Sequence, residues 1–248
     1  MTTKEFLNDE IKPYNPHEDK TNQLVSLFDK ISSHYDRFNN VISWGMAHIW
    51  RRKSVAFLKK YTPEKILDIA TGTADMILVI NNILKPKTII GIDISAKMME
   101  IGRQKVMKKQ LASKVDFQIQ NAASLSFENN TFDAVTIAFG IRNFEKLSQS
   151  MYEINRVLKP NGHFLILEVN QPQKGIMLLF YKFYISIYML FVTGMLDKAD
   201  YNYLTNSMGA FPRGEKLIEI LQSFDFKLIK YKRFTFDVCS AYLLRKTN

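Results

Sequence analysis

The stretch Asp68-Ile69-Ala70-Thr71-Gly72-Thr73-Ala74-Asp75 ends a short apolar run, Ile66 to Ala70, in a polar turn with a single glycine. Gly72 lets the backbone turn tightly and come close to a ligand. One glycine does not make G-x-G-x-x-G, which weakens a dinucleotide reading. The next apolar run, Thr88 to Ile92, ends in Asp93. An acid at that strand end accepts the hydroxyls of a ribose; the alternative is an N-cap role for Asp93 or Ser95. Further runs follow at Val115 to Ile119, Phe132 to Phe139 and, after the turn Pro160-Asn161-Gly162, Phe164 to Val169. Between them Phe144, Leu147, Met151, Ile154 and Leu158 recur at helical spacing. Strands alternating with helices predict a parallel sheet covered on both faces. Leu217, Leu221 and Phe224 mark a late helix. Phe226 to Tyr231 and Val238 to Leu244 lie too close together for a crossover, so they pair antiparallel. The expected fold is α/β, a doubly wound, mostly parallel seven-stranded sheet with an antiparallel final strand.

Working outward, residues 1–20 read as a loose polar arm without the apolar core of a signal peptide. Residues 21–248 read as one domain. Its parts are an N-terminal helical cover (21–62), a cofactor-binding core (65–169), an apolar insertion (172–208) and a C-terminal helix and strand pair (213–248). In the cover, Leu24, Leu27, Phe28, Ile31, Tyr35 and Phe38 predict one helix, and a second runs from about Ala47 to Lys60. Ile176 to Val192 is almost wholly apolar apart from Lys182 and Ser186. It has three readings: a surface or lid helix beside a greasy ligand, a buried core helix, or a membrane span.

Composition narrows the classes. The 248 residues are 46% hydrophobic, which excludes a disordered chain. The single cysteine, Cys239, excludes an internal disulfide and a cysteine-rich metal site, and fits a reducing cytoplasm. No ligand cluster for a metal stands out. The formal charge of +10 favours an anionic partner. No RNA-reading motif accompanies it, so nucleic acid is not expected. Anionic lipid is the alternative, with peripheral contact at the inner face of the cell membrane.

The strand-end loops carry the site. A ribose acid without phosphate-binding glycines points to S-adenosylmethionine. Gln120-Asn121-Ala122-Ala123, after the third run, offers a polar side chain and small residues to an adenine. Gly140, Arg142 and Asn143 follow the fourth run.

The sequence also resembles the quinone-biosynthesis C-methyltransferases, the demethylmenaquinone/2-polyprenyl-benzoquinol family, from about Val25 to Leu244. The matching residues are Phe28 to Asp36, Asn39, Ser43, Gly45, Trp50-Arg51, Asp68 to Asp75, Gly91 to Ser95, Gln120 to Ala122 and Thr136 to Asn143. Tyr203-Leu204, Ser207 and Phe211-Pro212 match near the end. The resemblance implies a class I S-adenosylmethionine-dependent methyltransferase with cofactor contacts on Thr73, Asp93, Asn121 and Ala122. The loop reading adds Gly72; Tyr35, from the N-terminal helices that cover the site, either stacks near the cofactor or is a core residue. It implies a reduced polyprenyl quinone as substrate. Ala74 and Ala138 depart from the wider pattern and favour the menaquinone branch; Asn161 stands where glycine is usual.

Such a reaction needs an electron-rich ring carbon, so a hydroxyl of the quinol must lose its proton. Arg142 is expected to stabilise the oxyanion, or else to brace the following helix; Asn143 is expected to orient the ring hydroxyl. Tyr203 either bonds the quinol or is a satisfied core tyrosine. Asp68 and Glu168 read as structural, as does His48. Other readings of function are benzoquinol methylation in ubiquinone synthesis, RNA methylation, and a non-catalytic cofactor-binding scaffold. The oligomeric state is open, a homodimer included.

Overall fold

The computed structural model describes residues 11–171 and 197–247. Among these, seven strands form one sheet: β1 (Lys65–Ile69), β2 (Thr88–Asp93), β3 (Val115–Ile119), β4 (Phe132–Ala138), β5 (Leu158–Val169), β6 (Phe226–Phe234) and β7 (Cys239–Lys246). Their order is β3-β2-β1-β4-β5-β7-β6. Strands β1 to β5 pair in parallel, and β7 runs antiparallel to both β5 and β6. The order reverses between β1 and β4, which opens a crevice at their carboxyl ends.

The helices are α1 (Lys20–Ile42), α2 (Met46–Val55), α3 (Asp75–Leu84), α4 (Ala96–Lys108), α5 (Leu147–Val157), α6 (Lys198–Ala210) and α7 (Glu215–Gln222). Successive strand residues face opposite sides. Ile66 therefore joins a buried cluster with Ile77, Ile80 and Val106, while Leu67 joins one with Met151, Ile154 and Leu221. Full burial of each such side chain contributes about 1.5–3 kcal/mol. A third cluster seats Leu24, Leu27, Ile31 and Phe38 of α1 against Met98, Tyr203 and Leu204.

Several elements differ from expectation. Asp19 caps α1, accepting from the Asn22 N–H at 2.8 Å, and the helix runs on to Ile42. The second helix ends at Val55 and tightens into a 3-10 turn over Ala56–Tyr61. β5 begins earlier than its apolar run: Phe132 pairs with Leu158, and Ala134 with His163. The turn Pro160-Asn161-Gly162 is looped out between these pairings. Asn161 has φ +61°, a left-handed conformation that asparagine tolerates well.

Residues 11–19, expected to be part of a loose arm, are tied down. The Gln23 side chain accepts from the N–H groups of Tyr14 and Asn15, and the Tyr14 hydroxyl donates to Asp200 at 2.6 Å. A polar segment with few apolar residues gave no sign of these side-chain bonds. Ile176 to Val192 lies outside the described residues. No helix among the described residues is long and apolar enough to cross a membrane.

Candidate active site

Two cavities meet above the strand ends. The first is a narrow cleft of about 90 Å³. It is lined from the sheet side by Gly72, Asp93, Asn121, Ala122 and Ala138, and from α1 by Thr21, Leu24, Phe28 and Tyr35. The second is an apolar chamber of about 360 Å³. Phe38, Ile42, Trp44, Trp50, Leu204 and Met208 are among its walls, with Arg142 on its lining. Tyr35 and Phe139 belong to both.

The cleft is shaped by backbone. Ala70, Gly72 and Ala74 all have positive φ, so the turn after β1 coils tightly. A methyl group added at Gly72 would meet nothing within 4 Å, so the space above it is open to a ligand. Gly140, by contrast, is needed because its Cβ would lie 2.5 Å from that of Ala70, where the β1 and β4 loops approach each other. The next residue back, Phe139, has φ +62°, an unusual conformation for a bulky residue. The Arg51 guanidinium stands 5.0 Å from its ring centroid.

Asp93 accepts from the Gly72 N–H at 2.8 Å and the Ser95 N–H at 2.9 Å, one on each carboxylate oxygen. Each oxygen keeps a second lone pair for a ribose hydroxyl. Ser95, not Asp93, caps α4, accepting from the Met98 N–H. Burial pushes the Asp93 carboxyl above its usual range, against the backbone N–H groups that favour its charge. The carboxylate, the open space at Gly72 and the polar-then-small pair Asn121-Ala122 fit an adenosyl group. Thr73 does not line the cleft: its hydroxyl donates to Asp36 at 2.6 Å.

Beneath the rim, Asp68 accepts from Thr136 at 2.5 Å and Thr71 at 2.7 Å, which pins β1 and its turn to β4. Burial pushes its carboxyl up to about 6 despite both hydroxyls. Arg142 is buried. Its Nη1 donates to Glu168 at 2.5 Å and to the Phe139 carbonyl at 2.7 Å. Burial, the largest influence, opposes its charge, but Glu168 together with Tyr35 and Tyr203 holds the guanidinium above its ordinary value. Asn143 lies on the cleft, not the chamber, and its Oδ1 accepts from the Tyr203 hydroxyl at 3.0 Å. His48 is exposed and away from both cavities.

The α1 ties were not foreseen. Glu145 accepts from the N–H of Lys20 and of Thr21 and from the Thr21 hydroxyl. Asp29 accepts from the Ser95 hydroxyl at 2.6 Å. Asp36 accepts from Thr73 and pairs with Lys105, which also pairs with Asp75. Asp29 and Asp36 are two turns apart and share a helical face. That spacing was the available signal.

A wound sheet with its antiparallel last strand, a buried acid at the end of β2 and an adjoining apolar chamber are the fold and site expected of an S-adenosylmethionine-dependent methyltransferase. A solved S-adenosylmethionine-dependent methyltransferase from Aquifex aeolicus superposes with TM-score 0.60 at 13% identity, over 85% of this chain and 97% of that one. The sequence profile of the ubiE/COQ5 methyltransferase family matches residues 17–246, and the chain belongs to that family. It is 39% identical to the demethylmenaquinone methyltransferase of Bacteroides fragilis, over 97% of this chain and 99% of the relative. The demethylmenaquinone methyltransferase of Porphyromonas gingivalis is 35% identical, over 95% and 97%.

Proposed function

We propose that the chain methylates a ring carbon of a reduced polyprenyl quinone, demethylmenaquinol giving menaquinol. The names of its relatives support this substrate. The observation that carries it is the junction of a ribose-binding cleft with an apolar chamber through the shared side chains Tyr35 and Phe139. When bound, S-adenosylmethionine supplies an electrophilic methyl group.

The protein's own part is alignment and charge. Asp93, Gly72, Asn121 and Ala122 hold the adenosyl end in the cleft, and Tyr35 closes it from α1. Arg142, kept charged and fixed by Glu168, favours the ring phenolate over the phenol, which raises electron density at the ortho carbon. Asn143 and Tyr203 act as one bonded unit that sets the cleft-side edge of the ring. There the phenolate's electron pair would form the ring carbon–methyl bond as the methyl–sulfur bond breaks and a neutral thioether leaves, and loss of the proton from that ring carbon would restore the aromatic hydroquinone.

The test is methyl transfer by purified protein from labelled S-adenosylmethionine to reduced demethylmenaquinone, a benzoquinol analogue and bulk RNA. Label is expected in the naphthoquinol fraction. Label in RNA, or none in either quinol, overturns the reading.

A further inference from the structure

Two exposed aromatic residues on different elements stand on or beside the chamber's lining. Trp44, in the turn between α1 and α2, lines the chamber yet is 79% exposed. Phe236, in the β6–β7 turn, is 80% exposed, between Thr235 and Val238, which both line the chamber. The two turns are joined: the Trp50 indole N–H donates to the Thr235 hydroxyl at 2.9 Å. Both are held in costly backbone, with Trp44 at φ +49° and Thr235, Phe236 and Asp237 all positive. Val41 and Ile49 add exposed apolar surface beside Trp44.

Cations flank this rim. Lys53 of α2 and Arg233 at the end of β6 are exposed, and no ion pair holds them among the described residues. A groove on the other side of the α1–α2 turn adds Arg37, Arg52 and Lys109, beside the acids Asp36 and Asp75. The acid in the β6–β7 turn, Asp237, is engaged by Asn170 and Ser240.

We propose that this rim, with Trp44 and Phe236 at its tips and Lys53 and Arg233 around them, docks on an anionic lipid bilayer so that the chamber opens into the acyl region. Indole and phenyl rings favour the headgroup boundary. Basic side chains are drawn to the negative surface, each strengthening partition about fivefold. Exposed apolar surface rimmed by polar residues marks an interaction site. The docking rests on the quinol reading of the chamber, since a long isoprenoid tail is found in the bilayer rather than in water.

The experiment is co-sedimentation of full-length protein with vesicles of 30% phosphatidylglycerol in phosphatidylcholine, and with pure phosphatidylcholine. Wild type is expected to bind the anionic vesicles at least tenfold better, with a blue shift of tryptophan emission that Trp44→Phe abolishes. Phe236→Ser and Lys53→Glu/Arg233→Glu are each expected to lose fivefold or more in partition while turning over a short-chain, water-soluble quinol as wild type does. Equal binding to both vesicles, or variants that bind as wild type does, overturns the docking. Anionic binding with the expected variant losses but no turnover on any quinol supports the docking and overturns the substrate reading instead.

Discussion

The cleft and the chamber are neighbours built by opposite means. The cleft is backbone: alternate residues of the turn after β1, and Phe139 after β4, at positive φ, with N–H groups aimed at one carboxylate. The chamber is side chains, delivered by α1, α2, α6, the end of β5 and the β6–β7 turn. A backbone site constrains residue type at each position and so marks the sequence. A side-chain site needs only apolar bulk from anywhere in the chain and leaves little mark. The cleft should therefore fail sharply under single substitutions, and the chamber gradually.

The largest effect is expected at the cleft. If Asp93 holds the ribose as proposed, Asp93→Ala takes away two charge-assisted bonds and should weaken S-adenosylmethionine binding about 10³-fold, about 4 kcal/mol, by calorimetry. An affinity within tenfold of wild type would break the contrast. Arg142→Ala comes next. Turnover should fall about 10²-fold, about 3 kcal/mol, with cofactor affinity within threefold. Because Glu168 would be left buried without its cation, Arg142→Ala should be compared with Arg142→Ala/Glu168→Gln, which restores stability but not turnover.

Asp68 sharpens the comparison through pH. Its carboxyl lies at about 6 in the folded chain, against an ordinary 3.8. A raised value means that the folded state holds the proton more tightly than the unfolded state. Its contribution is full below pH 3.8 and fades as pH rises through 6, by about 3 kcal/mol in all. Urea unfolding of Asp68→Asn should show a correspondingly flatter change between pH 4 and 7. An unaltered slope would remove Asp68 as the titrating brace.

The smallest effects separate two glycines. Gly140→Ala drives a methyl into Ala70 and should cost about 1–3 kcal/mol of stability. Gly72→Ala meets no atom, so it should cost only about 1 kcal/mol, from its left-handed backbone, while lowering cofactor affinity about tenfold. Thermal melts and cofactor titration of the pair would distinguish a packing glycine from a binding one.

The same contrast explains what was legible. The strands of the core were readable because each is a continuous apolar run closed by a polar turn. Gly72, Asp93, Asn121 and Ala122, which line the cleft, could be picked out because each ends or closely follows a readable strand. Thr73 lay inside the same motif but turns toward Asp36, and no local pattern distinguishes a threonine that faces a ligand from one that faces a helix. Asp29, Asp36 and Glu145 were missed because acids on a helix and its flanks ordinarily read as solvated. Trp50, Leu204 and Thr235 come together only through the sheet order, which brings the last strand pair beside β5.

Helix α1 is one wall of the cleft and is latched to three of its loops, at Glu145, Ser95 and Thr73. A spent donor leaving on that side must wait for those latches to open. Turnover in this chain is then timed by how often an N-terminal helix lets go, and deuterium uptake along residues 20–42 should report the same clock as the off-rate of the demethylated product.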